Sequence, residues 1–237
     1  MSRRATGPRG KPKQRVLLSW SSGKDSAWTL HALRQRKDVE LVGLLCTLNS
    51  AAERVAMHGV RRSLLEAQAA AAKLPLWAID LPSPCSNDAY ERIMTGVLER
   101  ARAERVAAIA YGDLFLEDIR AYRLARHAGT GIEPIFPLWG RATDELAREM
   151  IRGGLRARLS CVDTRVLGAE FSGRAFDKAL LDALPAGIDP CGERGEFHTF
   201  VHAGPMFEQP IAVRIGERVV RDGFAFTDLL LCADHVG

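Results

Sequence analysis

Between residues 15 and 139, five short and almost uninterrupted apolar runs, at 16–20, 39–46, 76–80, 106–111 and 132–138, alternate with segments of helical apolar spacing at 25–36, 59–73, 87–104 and 116–128. A strand that is apolar along its length is buried on both faces, and parallel strands are joined by helices that cover those faces. The alternation therefore dictates an α/β fold with a doubly wound parallel sheet over residues 15–141. Past Trp139 the pattern changes. Thr143 and Asp144 mark the start of a helix running to Gly153-Gly154, residues 155–161 alternate as a half-buried strand does, and a further helix is expected at 173–184, ended by Pro185. Strands follow at 197–203, 211–215, 218–221 and 224–231, with turns at Gly216-Glu217 and Asp222-Gly223. Residues 142–237 are thus expected to form a smaller C-terminal α+β domain.

With 47% hydrophobic and 26% charged residues, the 237-residue chain can fill one or two ordinary cores. No apolar run approaches the roughly 20 residues that span a bilayer, so no membrane association and a cytoplasmic location are expected. The five cysteines lie 30 or more residues apart without a C-x-x-C pair, which argues against zinc ribbons and iron–sulfur clusters. The formal charge is +4, yet residues 1–15 hold six bases and no acid, and the remainder has 27 bases against 29 acids. Residues 1–14 therefore read as a disordered basic tail on a near-neutral body, and nucleic acid is not an expected partner.

The junction between the first strand and first helix reads Ser21-Ser22-Gly23-Lys24-Asp25-Ser26. A glycine-containing loop there turns backbone N–H groups and the positive end of a helix dipole toward an anion, phosphate being the natural guest. Gly23 allows close approach, Ser21, Ser22 and Ser26 add hydroxyls, and Lys24 adds a point charge. Asp25 suits a helix cap or a magnesium ligand. The loop is not a Walker A motif, which would need glycine where Leu18 stands and Ser or Thr where Asp25 stands. It resembles instead the S-G-G-x-D-S pyrophosphate loop of N-type ATP pyrophosphatases, with Ser22 in place of the first glycine.

Two more stretches carry chemistry. Residues 111–129 place Gly112-Asp113 at the end of the fourth run, followed by Arg120, Arg123 and Arg126 on a helix. Residues 189–205 pack Asp189, Glu193, Glu196 and His198 among glycines ahead of an apolar strand. The pyrophosphate loop, Gly112-Asp113, Pro137-Leu138-Trp139 and Gly192-Glu193-Arg194-Gly195-Glu196-Phe197-His198-Thr199, in this order, resemble the diphthine-ammonia ligase family over nearly the whole chain from Arg15 to about Phe207.

The resemblance implies an N-terminal domain of the HUP-like, adenine nucleotide alpha hydrolase type and a C-terminal domain that brings the second element to the facing cleft. It implies ATP and magnesium as cofactors. The implied reaction is adenylation of an acceptor carboxylate followed by displacement of AMP by ammonia, taken as free ammonium. The acceptor would be a carboxylate-bearing small molecule or protein side chain, on an elongation factor in the namesake reaction, and a homodimer is the candidate assembly. Ser21, Ser22, Gly23, Lys24 and Ser26 form the expected pyrophosphate grip, with Gly112 facing it. Asp25 and Asp113 are candidate magnesium ligands. Glu193 and Glu196 would bind ammonium, deprotonate it, or orient a cationic substrate such as a trimethylated amine, and His198 is either a general base or a strand histidine bonded to a neighbouring carbonyl. Elsewhere, His58 lies in the loop after the second run on the nucleotide side, Arg120 and Arg123 suit phosphate or a solvated face, and His127 carries a charge suited to a helix C-terminus. Two other readings share the loop: a tRNA-modifying enzyme and a non-catalytic adenine-nucleotide-binding protein.

Overall fold

The computed structural model describes residues 12–55 and 59–232. His58 and residues 1–11 of the tail lie outside the described residues. The first half runs β1 (Gln14–Ser19), α1 (Lys24–Arg34), β2 (Val39–Asn49), β3 (Arg54–Val55), α2 (Arg62–Ala71), β4 (Leu76–Leu81), α3 (Asn87–Ala103), β5 (Ala108–Ala110), α4 (Glu117–His127) and β6 (Glu133–Ile135). β2 pairs in parallel with β1 and β4, while β5 pairs in parallel with β1 and β6. The expected apolar runs are thus the strands of one parallel sheet, and the two-residue β3 adds to it antiparallel at Leu48 and Asn49. Each β1 residue from Val16 to Leu18 is fully buried, which is why the run shows no polar alternation.

The chain proceeds from β1 to β2 and β4 on one side, then returns to place β5 and β6 on the other. The reversal falls between β1 and β5, the crevice where open α/β sheets bind ligands beyond their carboxyl ends. The residues just past those two ends are Trp20-Ser21-Ser22-Gly23 and Tyr111-Gly112-Asp113.

The second half contains α5 (Thr143–Arg152), β7 (Arg156–Asp163), α6 (Lys178–Ala183), β8 (Phe197–Ala203), β9 (Val213–Arg221) and β10 (Phe224–Leu231), with an antiparallel sheet ordered β8-β7-β10-β9. Two expectations need correction. The helix expected at 173–184 is only α6, capped by the Asp177 carboxylate, which accepts from Leu180 N at 2.8 Å. The residues before it are claimed by β7: Gly173 N donates to Leu159 O and Phe176 N to Ala157 O. The expected strands 211–215 and 218–221 are one strand, because Gly216-Glu217 is a bulge, two residues facing Asp228 alone, rather than a turn. Asp222-Gly223 does turn, with φ of 51° and 79°, as a two-residue hairpin requires.

One apolar cluster runs from Leu18, Leu30 and Leu64 of the first half into Leu159, Phe197 and Phe200 of the second, and a smaller one on the opposite face gathers Leu17, Trp77, Val97, Ile109 and Ile132. Each fully buried Leu or Phe contributes about 1.5–3 kcal/mol, so the shared cluster fastens the two sheets together. Among the described residues no helix is long and apolar enough to cross a membrane.

Candidate active site

The loop after β1 is shaped from three directions. Ser22 has φ 68°, the left-handed conformation that a glycine there would adopt without cost, and its side chain is fully buried with the hydroxyl donating to Ser21 O. What holds a serine in that conformation is its carbonyl oxygen, which accepts from Gln68 Nε2 at 3.0 Å and Val201 N at 3.0 Å. Ser21 and Ser26 do face the cleft, their hydroxyl oxygens 3.2 Å apart, so the expected set of three serine donors is corrected to two. Gly23 precedes α1 as its N-cap, and the Lys24 amide donates to Thr199 Oγ1 at 3.0 Å.

Sequence reasoning missed Gln68 and Thr199. Gln68, fully buried on α2, accepts from Trp20 Nε1 at 2.8 Å and donates to the carbonyl oxygens of Ser22 and Val201. Gln68 belongs to no motif, and Thr199 closes the Gly192–Thr199 element without a role having been read for it. Their signal is burial of a polar side chain, which requires a partner and is visible only once the elements are packed.

Across the crevice stands Gly112. A Cβ there would lie 3.0 Å from the backbone carbon of Asp25 and 3.0 Å from Ser26 N. Glycine at 112 therefore lets the end of β5 abut the start of α1, and the two loops share one cleft of about 240 Å³. Asp113 lines it, with Arg123 Nε 3.6 Å from its Oδ2, too long for a hydrogen bond. The Arg123 guanidinium lies over Tyr111, 4.4 Å from the ring centroid, and the Tyr111 hydroxyl meets His127 Nε2 at 2.9 Å. His127 Nδ1 lies 2.9 Å from Ile132 O, which can only accept, so Nδ1 carries the proton and Nε2 accepts from the phenol. Burial lowers the His127 pKa, and the ring is a neutral bridge rather than the helix-end charge expected of it. Arg120 packs its guanidinium over Trp139, 4.6 Å from the centroid.

The segment before β8 forms the opposite wall. The Asp189 carboxylate accepts from Cys191 N at 3.2 Å and Glu193 N at 3.0 Å, and that of Glu196 accepts from Asp189 N at 3.1 Å and Arg194 N at 3.0 Å. Gly192, at φ 64°, packs so closely on Phe197 that a Cβ would meet its carbonyl oxygen at 2.8 Å. The loop is thus folded on its own acids, and Glu196 is spent on that folding, whereas Glu193 and His198 line the cleft. Glu193 Oε1 accepts from Leu114 N at 2.7 Å, joining this wall to the segment after β5.

Lys24 is buried, ion-paired with Asp25 at 2.8 Å and set over the rings of Phe197 and Phe176. Burial alone would lower its pKa; the Asp25 carboxylate, with Glu193 farther off, more than offsets this and holds the ammonium charged. Burial raises the Asp113 carboxyl against the pull of Arg123. Glu193 is pushed up to about 7, chiefly by burial, with the Leu114 amide opposing and the charges of Asp25 and Asp113 adding. His198 is pushed down to about 4 by burial and by Lys24, so its ring is neutral at physiological pH.

Asp25 Oδ1 and Asp113 Oδ2 are buried and have no hydrogen-bond partner among the described residues. Two carboxylate oxygens without a hydrogen bond, on acids ion-paired with Lys24 and Arg123, line one crevice and keep lone pairs that fit a hard divalent cation. Among the described residues no group of three or more His, Cys, Asp or Glu is placed to hold a metal, so protein atoms alone would not complete such a site.

A glycine-bearing loop at the switch point of a doubly wound sheet, walled by an acidic loop from a second sheet, defines an α/β protein of the HUP-like class. Family models agree with both halves: the diphthamide synthase N-terminal domain matches residues 14–129 and the diphthamide synthase C-terminal domain residues 142–229. The chain belongs to the diphthine-ammonia ligase family. Similar curated proteins include the diphthine–ammonia ligase of Homo sapiens, 27% identical over 150 residues, and that of Mus musculus, 30% identical over 151 residues. Each match covers 60% of this chain and 55% of the relative, so the chain spans about half the length of the curated relatives it matches.

Proposed function

We propose that the chain is an ATP-dependent, AMP-forming ligase that amidates a carboxylate with ammonia. The observation that carries the reading is the pairing across one cleft of a charged lysine on an anion loop, Lys24, with a carboxyl group poised near neutrality, Glu193. In the first step an acceptor carboxylate oxygen attacks the α-phosphorus of ATP, and the bond to the bridging oxygen of pyrophosphate breaks. Lys24, Ser21, Ser26 and the start of α1 neutralise the departing pyrophosphate. In the second step the nitrogen of ammonia attacks the acyl carbon, and AMP leaves with the carbon–oxygen bond electrons. Glu193, as carboxylate, binds ammonium and takes its proton; a base whose pKa lies near the working pH is both available and strong enough. His198, a neutral ring that is a poor base at about 4, is assigned to orienting the acceptor instead. A magnesium ion held by Asp25 and Asp113 would supply further charge neutralisation of the phosphates. Free ammonium is the proposed donor, and the acceptor is a small molecule or protein side chain bearing a carboxylate; diphthine is the one for which the similar human and mouse ligases are named.

The test is product analysis of ATP incubated with magnesium, ammonium and fractionated cell extract, for the wild type and Lys24→Ala. AMP and pyrophosphate, amplified by one fraction and lost in the variant, support the proposal. ADP and phosphate, or ATP bound but unsplit with every fraction, overturn it.

A further inference from the structure

The reaction just proposed leaves one charged residue of the cleft wall without a task. The charged residues lining the cleft are Lys24 and Arg123 against Asp25, Asp113 and Glu193, an excess of acid in a place that must receive a polyphosphate. Lys24 is already paired with Asp25 on the loop side. Arg123 approaches from the β5 side, where Asp113 stands. Its Nε and Asp113 Oδ2 are both buried and form an ion pair at 3.6 Å, and neither makes a hydrogen bond among the described residues. Buried polar groups in folded proteins are nearly always hydrogen-bonded, so the Arg123 Nε–H, held to Asp113 by charge alone, keeps a donor for a further acceptor in the cleft. Arg123 is also braced from behind: its guanidinium lies over Tyr111, whose hydroxyl is fixed by His127, which is fixed in turn by Ile132 O. A side chain that needed only to be solvated would not require such a backing.

We propose that Arg123 is the second phosphate-binding cation of the cleft and holds a non-bridging oxygen of the α-phosphate, the phosphate that stays with the acyl group, while Lys24 and its loop hold the departing pyrophosphate. This rests on the adenylation reading above. The planar guanidinium suits the task, since it can stack on Tyr111 with its face and offer N–H groups to phosphate oxygens with its edge. A division of this kind keeps the adenylate bound when pyrophosphate leaves, so that ammonia meets an activated acyl group still in place.

AMP and pyrophosphate can be titrated separately into the full chain by calorimetry, without turnover, for the wild type, Arg123→Ala, Arg123→Lys and Lys24→Ala. Arg123→Ala is expected to weaken AMP by about tenfold or more while pyrophosphate changes little, as loss of one charge-assisted hydrogen bond implies. Lys24→Ala is expected to do the reverse, and Arg123→Lys to recover part of the AMP affinity through its charge. AMP affinity unchanged in Arg123→Ala overturns the proposal. So does loss of both ligands together with a large fall in melting temperature, which would make Arg123 a prop for Tyr111. If Arg123→Ala behaves as expected but Lys24→Ala still binds pyrophosphate, the Arg123 assignment stands and the loop assignment falls. A wild type that binds neither ligand overturns both.

Discussion

Glu193 carries an intrinsic tension that makes it measurable. Its raised pKa means that the folded chain binds a proton more tightly than the unfolded chain, whose glutamate titrates near 4.5. Stability is therefore lost as pH rises from the ordinary glutamate value through about 7, and it is the charged form, the one the proposed reaction uses, that is disfavoured. Glu193→Gln keeps an oxygen for the Leu114 amide but removes the charge. It is expected to melt higher than the wild type at pH 8, to match it near pH 5, and to lose amidation by about a hundredfold or more, the scale of a missing general base. Wild-type turnover at saturating ammonium should rise with pH through a midpoint near 7. A stability gap independent of pH would show that the carboxyl titrates normally. Ser22 offers a second check. At φ 68° a serine bears a cost of roughly 1 kcal/mol that glycine does not. Ser22→Gly should keep ATP affinity and melt no lower than the wild type, whereas the β-branched Ser22→Val should lose both stability and affinity.

Among elements, the junction between β5 and α1 is the least forgiving, because Gly112 leaves no space for a methyl group against backbone atoms. Gly112→Ala is expected to cost about 1–3 kcal/mol in denaturant unfolding and to lower ATP affinity, since the clash displaces the start of α1. Asp177→Ala, at the cap of α6 and away from the cleft, should cost about 1 kcal/mol and leave ATP affinity alone. What the sequence revealed follows the same physics. The parallel strands were legible because burial on both faces leaves apolar runs such as Val16-Leu17-Leu18, and the loop because phosphate binding demands small residues and charge in one stretch. Gly216-Glu217 was misread because a glycine beside a polar residue serves a bulge as well as a turn, and only the pairing partner Asp228 decides between them. Gln68 and the role of Thr199, a residue already in a motif, were not legible because both act on backbone atoms far away in sequence. Glu196 was visible as an acid near the site, yet only the folded loop shows that its oxygens are already committed.

At the scale of the molecule, the two sheets are not a nucleotide domain with an accessory attached. The backbone of β8 reaches the loop at Ser22 O through Val201 N, and Thr199 of the same strand caps the Lys24 amide. On the proposed reading, affinity for nucleotide is therefore expected to be a joint property of both halves. Residues 12–141 expressed alone would leave the left-handed turn at Ser22 without one of its two backbone anchors and much of the shared apolar cluster in water. That fragment is expected to be insoluble or to bind ATP far more weakly than the full chain, with binding restored when residues 142–232 are co-expressed; tight binding by the fragment alone would show the loop to be self-sufficient. For recombination the consequence is direct. A crossover placed at residue 141 between two members of this family would exchange the residues that position the lysine as well as those proposed to receive the acceptor. New acceptor specificity gained by swapping the second half would thus arrive with an altered grip on ATP, unless Thr199 and the Val201 backbone contact travel unchanged.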